Sequence, residues 1–128
     1  MSGVNKKAFL ILVWGICFDD EDIVQPIVGE QRVFIRSCET EHDNEVFSLF
    51  DLDLDAFPGS EKIQDVSVAE CLLYFKNYVG KDYVESIVDI TTLSPTVESW
   101  DSGDREVACL AYDMNKNKLN VSVKNSKL

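Results

Sequence analysis

The chain has 128 residues, of which 45% are hydrophobic, so it can bury the core of one domain and leaves no room for a second. Acidic residues outnumber basic ones by 23 to 12, which gives a formal net charge of -11. Because nucleic acids are polyanions, this charge excludes them as expected partners. We therefore predict a single domain over residues 1–128 that does not bind nucleic acid.

An apolar run, Ala8–Phe18, follows Lys6 and Lys7 and so begins like a secretion signal. No small-residue cleavage site follows the run, and Ile16 precedes Cys17, where a lipoprotein site needs a small residue. The run is about half as long as the roughly 20 residues that a membrane helix requires. We therefore predict a buried strand here and no membrane span in this chain.

The acidic residues are concentrated after this run. Twelve Asp or Glu residues lie between Asp19 and Asp55, where Arg32 and Arg36 are the only Lys or Arg residues. After Asp113 the only charged residues are four lysines. One face or end of the domain should therefore be strongly negative, and such a surface keeps a protein in solution without any dedicated ligand.

Two segments rich in β-branched and aromatic residues, 31–38 and 45–55, flank a polar stretch and predict a β-hairpin. Three aspartates alternate with two leucines in the second arm, so a strand would place the carboxylates on one face and the leucines on the other. These residues are Asp51, Asp53 and Asp55, with Leu52 and Leu54 between them.

The most regular pattern predicts one amphipathic helix from about residue 60 to 80. Ser60 and Glu61 suit its start, and Gly80 suits the left-handed conformation that often follows a helix. Apolar residues recur at helical spacing between these ends. They are Val68, Leu72, Phe75 and Val79, with Cys71 and Tyr78 beside them.

The rest of the chain alternates between strands and turns. Residues 81–86 predict a short helical or irregular piece, 87–93 a strand, and 94–105 turns. Segments 106–112 and 118–124 predict two closing strands, because apolar and polar residues alternate strictly in the second one. Strands grouped around a single helix indicate an α+β fold with a largely antiparallel sheet.

Six short motifs occur in an order that resembles the septum-formation domain family of actinobacterial envelope proteins. They are GICFD at Gly15–Asp19, CETEHDNEV at Cys38–Val46, FPG at Phe57–Gly59, AEC at Ala69–Cys71, YVG at Tyr78–Gly80 and PTVESWDSGDREVAC at Pro95–Cys109. The resemblance covers about 15–109 and leaves 110–128 as a C-terminal hairpin arm with a basic tail. It implies an extracytoplasmic domain associated with cell division, with Gly15–Phe18 inside the domain, and it brings no known reaction.

Four cysteines, Cys17, Cys38, Cys71 and Cys109, form an even set without Cys-x-x-Cys spacing, which favours disulfides over a zinc ribbon. Of the three pairings that four cysteines allow, we prefer Cys17 with Cys38 and Cys71 with Cys109. The first pair would join two neighbouring strand ends, and the second would join the helix to a following strand. Oxidised cysteines would agree with export.

Two alternatives stay open for these cysteines. Cys38, His42, Cys71 and Cys109 would supply a zinc site, since Cys-x-x-x-His is a usable chelating pair. Four reduced, buried thiols would instead indicate a cytosolic protein, because a free cysteine packs as a small hydrophobe.

No catalytic centre, metal or cofactor is expected. No serine lies in a nucleophile motif, and the single histidine is better explained as a turn residue bonded to backbone. The aspartates at 51–55 begin like a calcium loop, but Ala56 and Lys62 stand where an EF-hand needs Gly and Glu, so only a looser cation site stays open. Gly103 would permit a tight turn, and Arg105 could hold a carboxylate. The candidate binding or structural residues are His42, Glu45, Trp100, Gly103, Asp104 and Arg105, with Glu45 as one carboxylate that Arg105 could hold.

The leading hypothesis is a non-enzymatic, extracytoplasmic α+β module, held by two disulfides, that binds a protein or another envelope component. One alternative is an acidic cytosolic protein of the immunity type that covers a basic partner, which predicts free thiols and salt-sensitive binding. The other is a metal-binding protein that uses His42 and the cysteines.

Overall fold

The computed structural model describes residues 3–5, 15–24 and 32–128 and has the predicted α+β architecture. Short 3-10 turns occur at Asp20–Asp22 and Tyr83–Glu85. The helices are α1 (Ser60–Val79) and α2 (Val97–Asp101). The strands are β1 (Gly3–Asn5), β2 (Cys17–Phe18), β3 (Ile23–Val24), β4 (Arg32–Phe34), β5 (Asn44–Asp51), β6 (Val88–Leu93) and β7 (Glu106–Asp113).

The strands form two antiparallel sheets. The larger sheet has the order β2-β5-β7-β6, and the smaller one has the order β1-β4-β3. Strands β5 and β7 make the central ladder, which runs from the pair Glu45 and Ala111 to the pair Asp51 and Glu106. The strands predicted at 87–93 and 106–112 are confirmed, and of the apolar run only residues 15–18 lie within the described part of the chain.

The predicted hairpin of 31–38 with 45–55 is wrong. Strand β4 pairs with β1 and β3, whereas β5 pairs with β2 and the distant β7. The first four residues of β5 are all buried, as in a central strand that is covered on both faces. A hairpin arm with one solvated face would instead alternate between buried and exposed residues.

The two alternating segments also differ from their predicted strand form. Strand β5 ends at Asp51, and beyond it Leu52 is buried while Leu54 is 38% exposed, so the Asp–Leu alternation does not continue as a strand. Residues 118–124 form no strand, since only Leu119 makes a β-bridge, to His42. Alternation alone misled here because a strand also needs a partner along its length, and neither 52–55 nor 118–124 pairs with a strand of either sheet.

Helix α1 confirms the predicted helix, and Gly80 follows it with a φ of 88°. Its buried face is rotated by about one residue from the predicted one, because Cys71 faces the sheet and Leu72 is 39% exposed. The buried residues of the helix are Ile63, Ser67, Cys71, Phe75, Tyr78 and Val79. Among the described residues, no helix is both long and apolar enough to cross a membrane.

The larger sheet is covered on both faces. On one face α1 packs over Phe47, Cys109 and Ala111, and on the other face Val33 of β4 packs with Val46 and Leu110. Neighbouring residues of β5 and β7 therefore enter different cores, as the period of two in a strand requires. The cleft described below lies where β7 ends.

Both predicted disulfides are present. Cys17 bonds to Cys38 across 21 positions, and Cys71 of α1 bonds to Cys109 of β7 across 38 positions. By loop closure they stabilise the fold by about 3 and about 4 kcal/mol, respectively. The predicted zinc site and the four free thiols are therefore wrong, because all four sulfur atoms are in disulfides.

Candidate functional site

A buried carboxylate, Glu45, connects four parts of the fold. Its Oε2 accepts hydrogen bonds from the hydroxyls of Tyr78 (2.5 Å) and Ser122 (2.8 Å), and its Oε1 accepts one from the backbone N–H of Val123 (2.8 Å). Oε1 also lies 3.6 Å from the Sγ of Cys17. Burial, followed by the contact with Glu45, raises the pKa of Tyr78 far above its usual value. We call these five residues the Glu45 cluster.

His42 is close to Glu45 in sequence, at the entry to β5, and its side chain is fully buried. Its Nδ1 lies 2.7 Å from the carbonyl oxygen of Thr40, which fixes the proton on Nδ1, and its backbone exchanges two 2.8 Å hydrogen bonds with Leu119. Its Nε2 has no hydrogen-bond partner among the described residues. A ring placed in this way orders the turn and is shielded from any solvent-borne ligand.

Trp100 and its neighbours lie at the other end of the β5–β7 ladder. The guanidinium of Arg105 stacks 3.6 Å from the centre of the Trp100 ring, and Phe57 packs its edge against the same ring at 5.7 Å. Gly103 closes the turn with a φ of 97°, and Asp104 Oδ1 accepts a hydrogen bond from the backbone N–H of the residue two positions further on. We call these five residues the Trp100 cluster.

Arg105 does not hold Glu45, so that prediction is wrong. Its Nη1 donates to the backbone carbonyls of Trp100 (2.9 Å) and Asp104 (3.0 Å). The six candidate residues therefore fall into two groups at opposite ends of the ladder, with His42 and Glu45 in one and the other four in the second. Their role in binding stays a prediction.

The acidic segment is organised around two cations. Arg36 binds both carboxylate oxygens of Asp22, at 2.6 and 3.0 Å, and also approaches Asp19 at 3.3 Å. Lys118 bridges Asp19 (3.2 Å) and Asp43 (2.9 Å). We call these five residues the Arg36–Lys118 network.

The network lowers the pKa of two of its acids. The hydrogen bonds from Arg36 are the main cause for Asp22. For Asp43, burial would raise the pKa, but the N–H of Asp20 and the ammonium of Lys118 outweigh it and the pKa falls. Both carboxylates are therefore firmly ionised at neutral pH.

Beside Asp43 lies an open cleft with a volume of about 130 Å³. We call it the Tyr112 cleft. Three carboxylates face one ammonium group in its lining, and hydroxyls and amides complete it. The lining residues are Asp20, Asp43, Asn44, Thr91, Tyr112, Asp113, Lys116 and Asn117.

One aromatic ring lies in this cleft. The hydroxyl of Tyr112 donates to Asp89 Oδ2 at 3.2 Å, and Lys116 Nζ lies 4.4 Å from the centre of the ring. Asp89 also accepts a hydrogen bond from Tyr83, which raises the pKa of Tyr83 to about 12. Burial and Asp89 raise the pKa of Tyr112 as well, so its ring is neutral at physiological pH.

Sequence reasoning missed the cleft residues. It treated 113–118 only as a link, although an Asp followed by Asn and Lys residues is typical of a capped turn. Asp113 Oδ1 accepts hydrogen bonds from the backbone N–H groups of Asn115 and Asn117 in that turn. The position of Tyr112 opposite Asp89 depends on the β6–β7 register, which the sequence does not show.

One group of metal-ligand types occurs among the described residues, namely Cys17, Cys38 and Glu45, whose ligand atoms lie within 4.8 Å of one another. Both sulfur atoms are in a disulfide, and the carboxylate accepts three hydrogen bonds. This group is therefore part of the Glu45 cluster rather than a metal centre.

The fold and the cleft define a disulfide-linked α+β domain with an acidic surface cleft. A family model described as "Septum formation" matches residues 26–126, which is most of the chain. The chain belongs to the septum formation family. No curated protein and no solved structure matches it. Family membership and the two disulfides are consistent with a cell-division-related domain outside the cytoplasm.

Proposed function

We propose that the chain is a non-catalytic binding module of the cell envelope, linked to cell division, which binds a protein or another envelope component through the Tyr112 cleft. The observation that carries this proposal is the cleft itself, which combines an aromatic ring with hydroxyl, amide and carboxylate groups in one open concave site. Surface clefts of this mixed chemistry provide both contact area and directional hydrogen bonds to a ligand.

The two side chains with the best chemistry for catalysis are both held in hydrogen bonds inside the fold, and this supports a binding role. His42 is buried and bonded to Thr40, and Glu45 accepts three hydrogen bonds inside the core. A general base must reach the proton that it removes, directly or through one water. Neither side chain has such access, so both are better explained as structural.

The proposal is tested by complementing a deletion strain with the full-length gene and scoring septum formation by microscopy. Tyr112→Ser removes the ring, and Asn117→Arg fills the cleft from an exposed position. Tyr74→Ser on α1 is the matched control, since Tyr74 is a 38% exposed tyrosine outside the cleft. We expect both cleft variants to lose complementation at wild-type protein levels while the control complements. Full complementation by both cleft variants would exclude the proposal.

The two disulfides count against the acidic cytosolic protein, whose remaining support is the net charge of -11, which favours a basic partner. The thiol state distinguishes it from the envelope module. Intact mass after alkylation of protein taken from its native cells should show four blocked sulfurs, as two disulfides require. Four alkylated thiols without added reductant would favour the cytosolic candidate instead.

A further inference from the structure

We propose that the Tyr112 cleft binds the ammonium group of a lysine side chain from a partner polypeptide, in the position that Lys116 Nζ takes in the free protein. This inference rests on the proposed function, because it names the chemical group that the same cleft takes. It is more specific than binding to a general acidic surface, since it names the ring of Tyr112, the carboxylate of Asp113 and the competing side chain of Lys116.

The first argument is the contact that the cleft already makes. Lys116 Nζ lies 4.4 Å from the centre of the Tyr112 ring, within the distance at which a cation is attracted to the face of an aromatic ring. Lys116 is otherwise exposed and projects from a turn. The ring therefore contacts an ammonium group within the molecule, and the ammonium of a partner would take its place.

The second argument is the carboxylate beside the ring. Asp113 is 8% exposed and lines the cleft. Its Oδ1 accepts the hydrogen bonds of the turn, whereas its Oδ2 accepts none from the described residues. That oxygen is not enclosed by the protein, so it can accept a hydrogen bond from a ligand that carries N–H groups, and an ammonium has three.

The third argument is the charge balance. Three carboxylates line the cleft, where Lys116 supplies the one ammonium of the lining and Lys118 pairs with Asp43. Asp89 accepts a hydrogen bond from the ring hydroxyl. The hydrogen bond from the Tyr112 hydroxyl to Asp89 also shifts electron density toward the ring, which strengthens its attraction for a cation. With a net charge of -11, the whole molecule attracts a basic partner at long range.

A lysine fits this site better than an arginine, because the internal occupant is a compact ammonium on a flexible chain rather than a planar guanidinium. A polypeptide is the source that we infer, since the internal occupant itself reaches the ring from a peptide turn. Free amines and amino sugars also carry an ammonium group, and the test below distinguishes an amino sugar from a lysine of a polypeptide.

The test is an NMR titration of 15N-labelled, oxidised protein with the acetylated, amidated peptide Gly-Lys-Gly. The matched probes are the same peptide with norleucine in place of lysine, which keeps the methylenes without the charge, and glucosamine. We expect the lysine peptide to shift the backbone amides of residues 112–117 and the norleucine peptide to leave them unchanged. Equal shifts with both peptides, or stronger binding of glucosamine, would overturn the inference.

Charge variants then test the geometry. Lys116→Gln removes the competitor and should bind the lysine peptide roughly fivefold more tightly, the equivalent of one exposed cation–π contact. Lys62→Gln on α1 changes the net charge equally and should alter the affinity by less than about twofold, as screened distant charges do. The same gain in both variants would mean that only net charge matters, which contradicts the proposed site.

The carboxylate is tested by Asp113→Asn, which keeps an acceptor for the turn, against Asp65→Asn, an exposed aspartate of α1. Affinity should fall only in the first variant, with both melting temperatures recorded to verify folding. If the lysine peptide fails to bind while the cleft variants still lose complementation, this inference is wrong and the proposed function stands. If the peptide binds but complementation is intact in every variant, the proposed function is wrong instead.

Discussion

The two ends of the β5–β7 ladder are stabilised in different ways. At the Glu45 end, side chains and backbone groups 33, 77 and 78 positions apart meet on one carboxylate. At the Trp100 end, Arg105 bonds to groups only 5 and 1 positions away, and α2 is capped by Thr96 and Ser99 within the same turn. One end therefore depends on the complete tertiary fold, and the other is largely local.

The difference also separates structure from binding. The Trp100 ring is 5% exposed and is covered by Arg105 and Phe57, so its end of the ladder presents little open ring surface. The Tyr112 cleft lies at the other end, where β7 finishes and the acidic network begins. The Tyr112 cleft thus lies next to the Glu45 end of the ladder, which has the most long-range polar contacts. These contacts hold the groups of that end in place.

The largest effect should come from Trp100→Ala, which removes a ring that is 5% exposed in the main core. We expect a loss of about 4 kcal/mol in the free energy of unfolding, since a large cavity opens between Phe57 and the sheet. Urea denaturation followed by circular dichroism measures it, with the exposed Val97→Ala of α2 as control. A loss below about 1 kcal/mol would mean that this end is not a core region.

Glu45→Gln should cost about 3 kcal/mol, because an amide cannot accept all three hydrogen bonds and leaves a buried donor unsatisfied. Glu41→Gln, an exposed residue at the entry to β5, is the control. Hydrogen exchange should show faster exchange at Val123 and unchanged exchange in α2. Faster exchange at both ends would contradict the separation of the two clusters.

Arg105→Met should cost about 1 kcal/mol, the value of a partly exposed cation–π contact with its hydrogen bonds. Arg105→Lys keeps the charge but not the planar stack, so it should recover only part of the loss. Partner binding should be unchanged in both variants. A wild-type melting temperature combined with lost binding would show that the Trp100 cluster is a binding site after all.

The smallest expected effect is on the stability of the fold at low pH. The folded protein lowers the pKa of Asp22, Asp43 and Asp89, so these carboxylates stabilise it above about pH 4 and lose that contribution as the pH falls toward their folded pKa values. Urea midpoints between pH 7 and pH 2 should therefore fall less steeply in Asp22→Asn than in wild type. An unchanged slope would mean that the Arg36–Lys118 network does not couple acid to stability.

The parts of the fold that the sequence predicted well depend on near neighbours. Helix α1 could be found because its apolar spacing and Gly80 are local signals, β6 because β-branched residues are grouped in a short run, and β7 because it is a short run of mainly apolar residues. The pairing of the four cysteines could also be predicted, since four cysteines allow only three pairings. The four candidate residues of the Trp100 cluster likewise occupy one short segment, 100–105.

Three of the wrong predictions concern partners that are distant in sequence. The hairpin failed because β5 pairs with β7 instead of β4, and the closing strand failed because Leu119 meets only His42. The contact of Arg105 with Glu45 failed for the same reason, since Glu45 lies in the first of the six residue pairs of the ladder and Arg105 lies just beyond the last. Apolar patterns specify which residues are buried but leave open which segments they are buried against.

The sequence by itself determined the α+β class, the main helix, the acidic composition and the family of this protein, and it favoured the disulfide pairing that the structure confirms. The tertiary structure alone decided that Glu45 is buried under three donors, that Tyr112 and Asp89 face each other, and that a cleft opens beside Lys116. The physical reason is range, because spacing and composition report interactions within a few residues. Register, strand order and the burial of one carboxylate depend on segments that only the folded chain brings together.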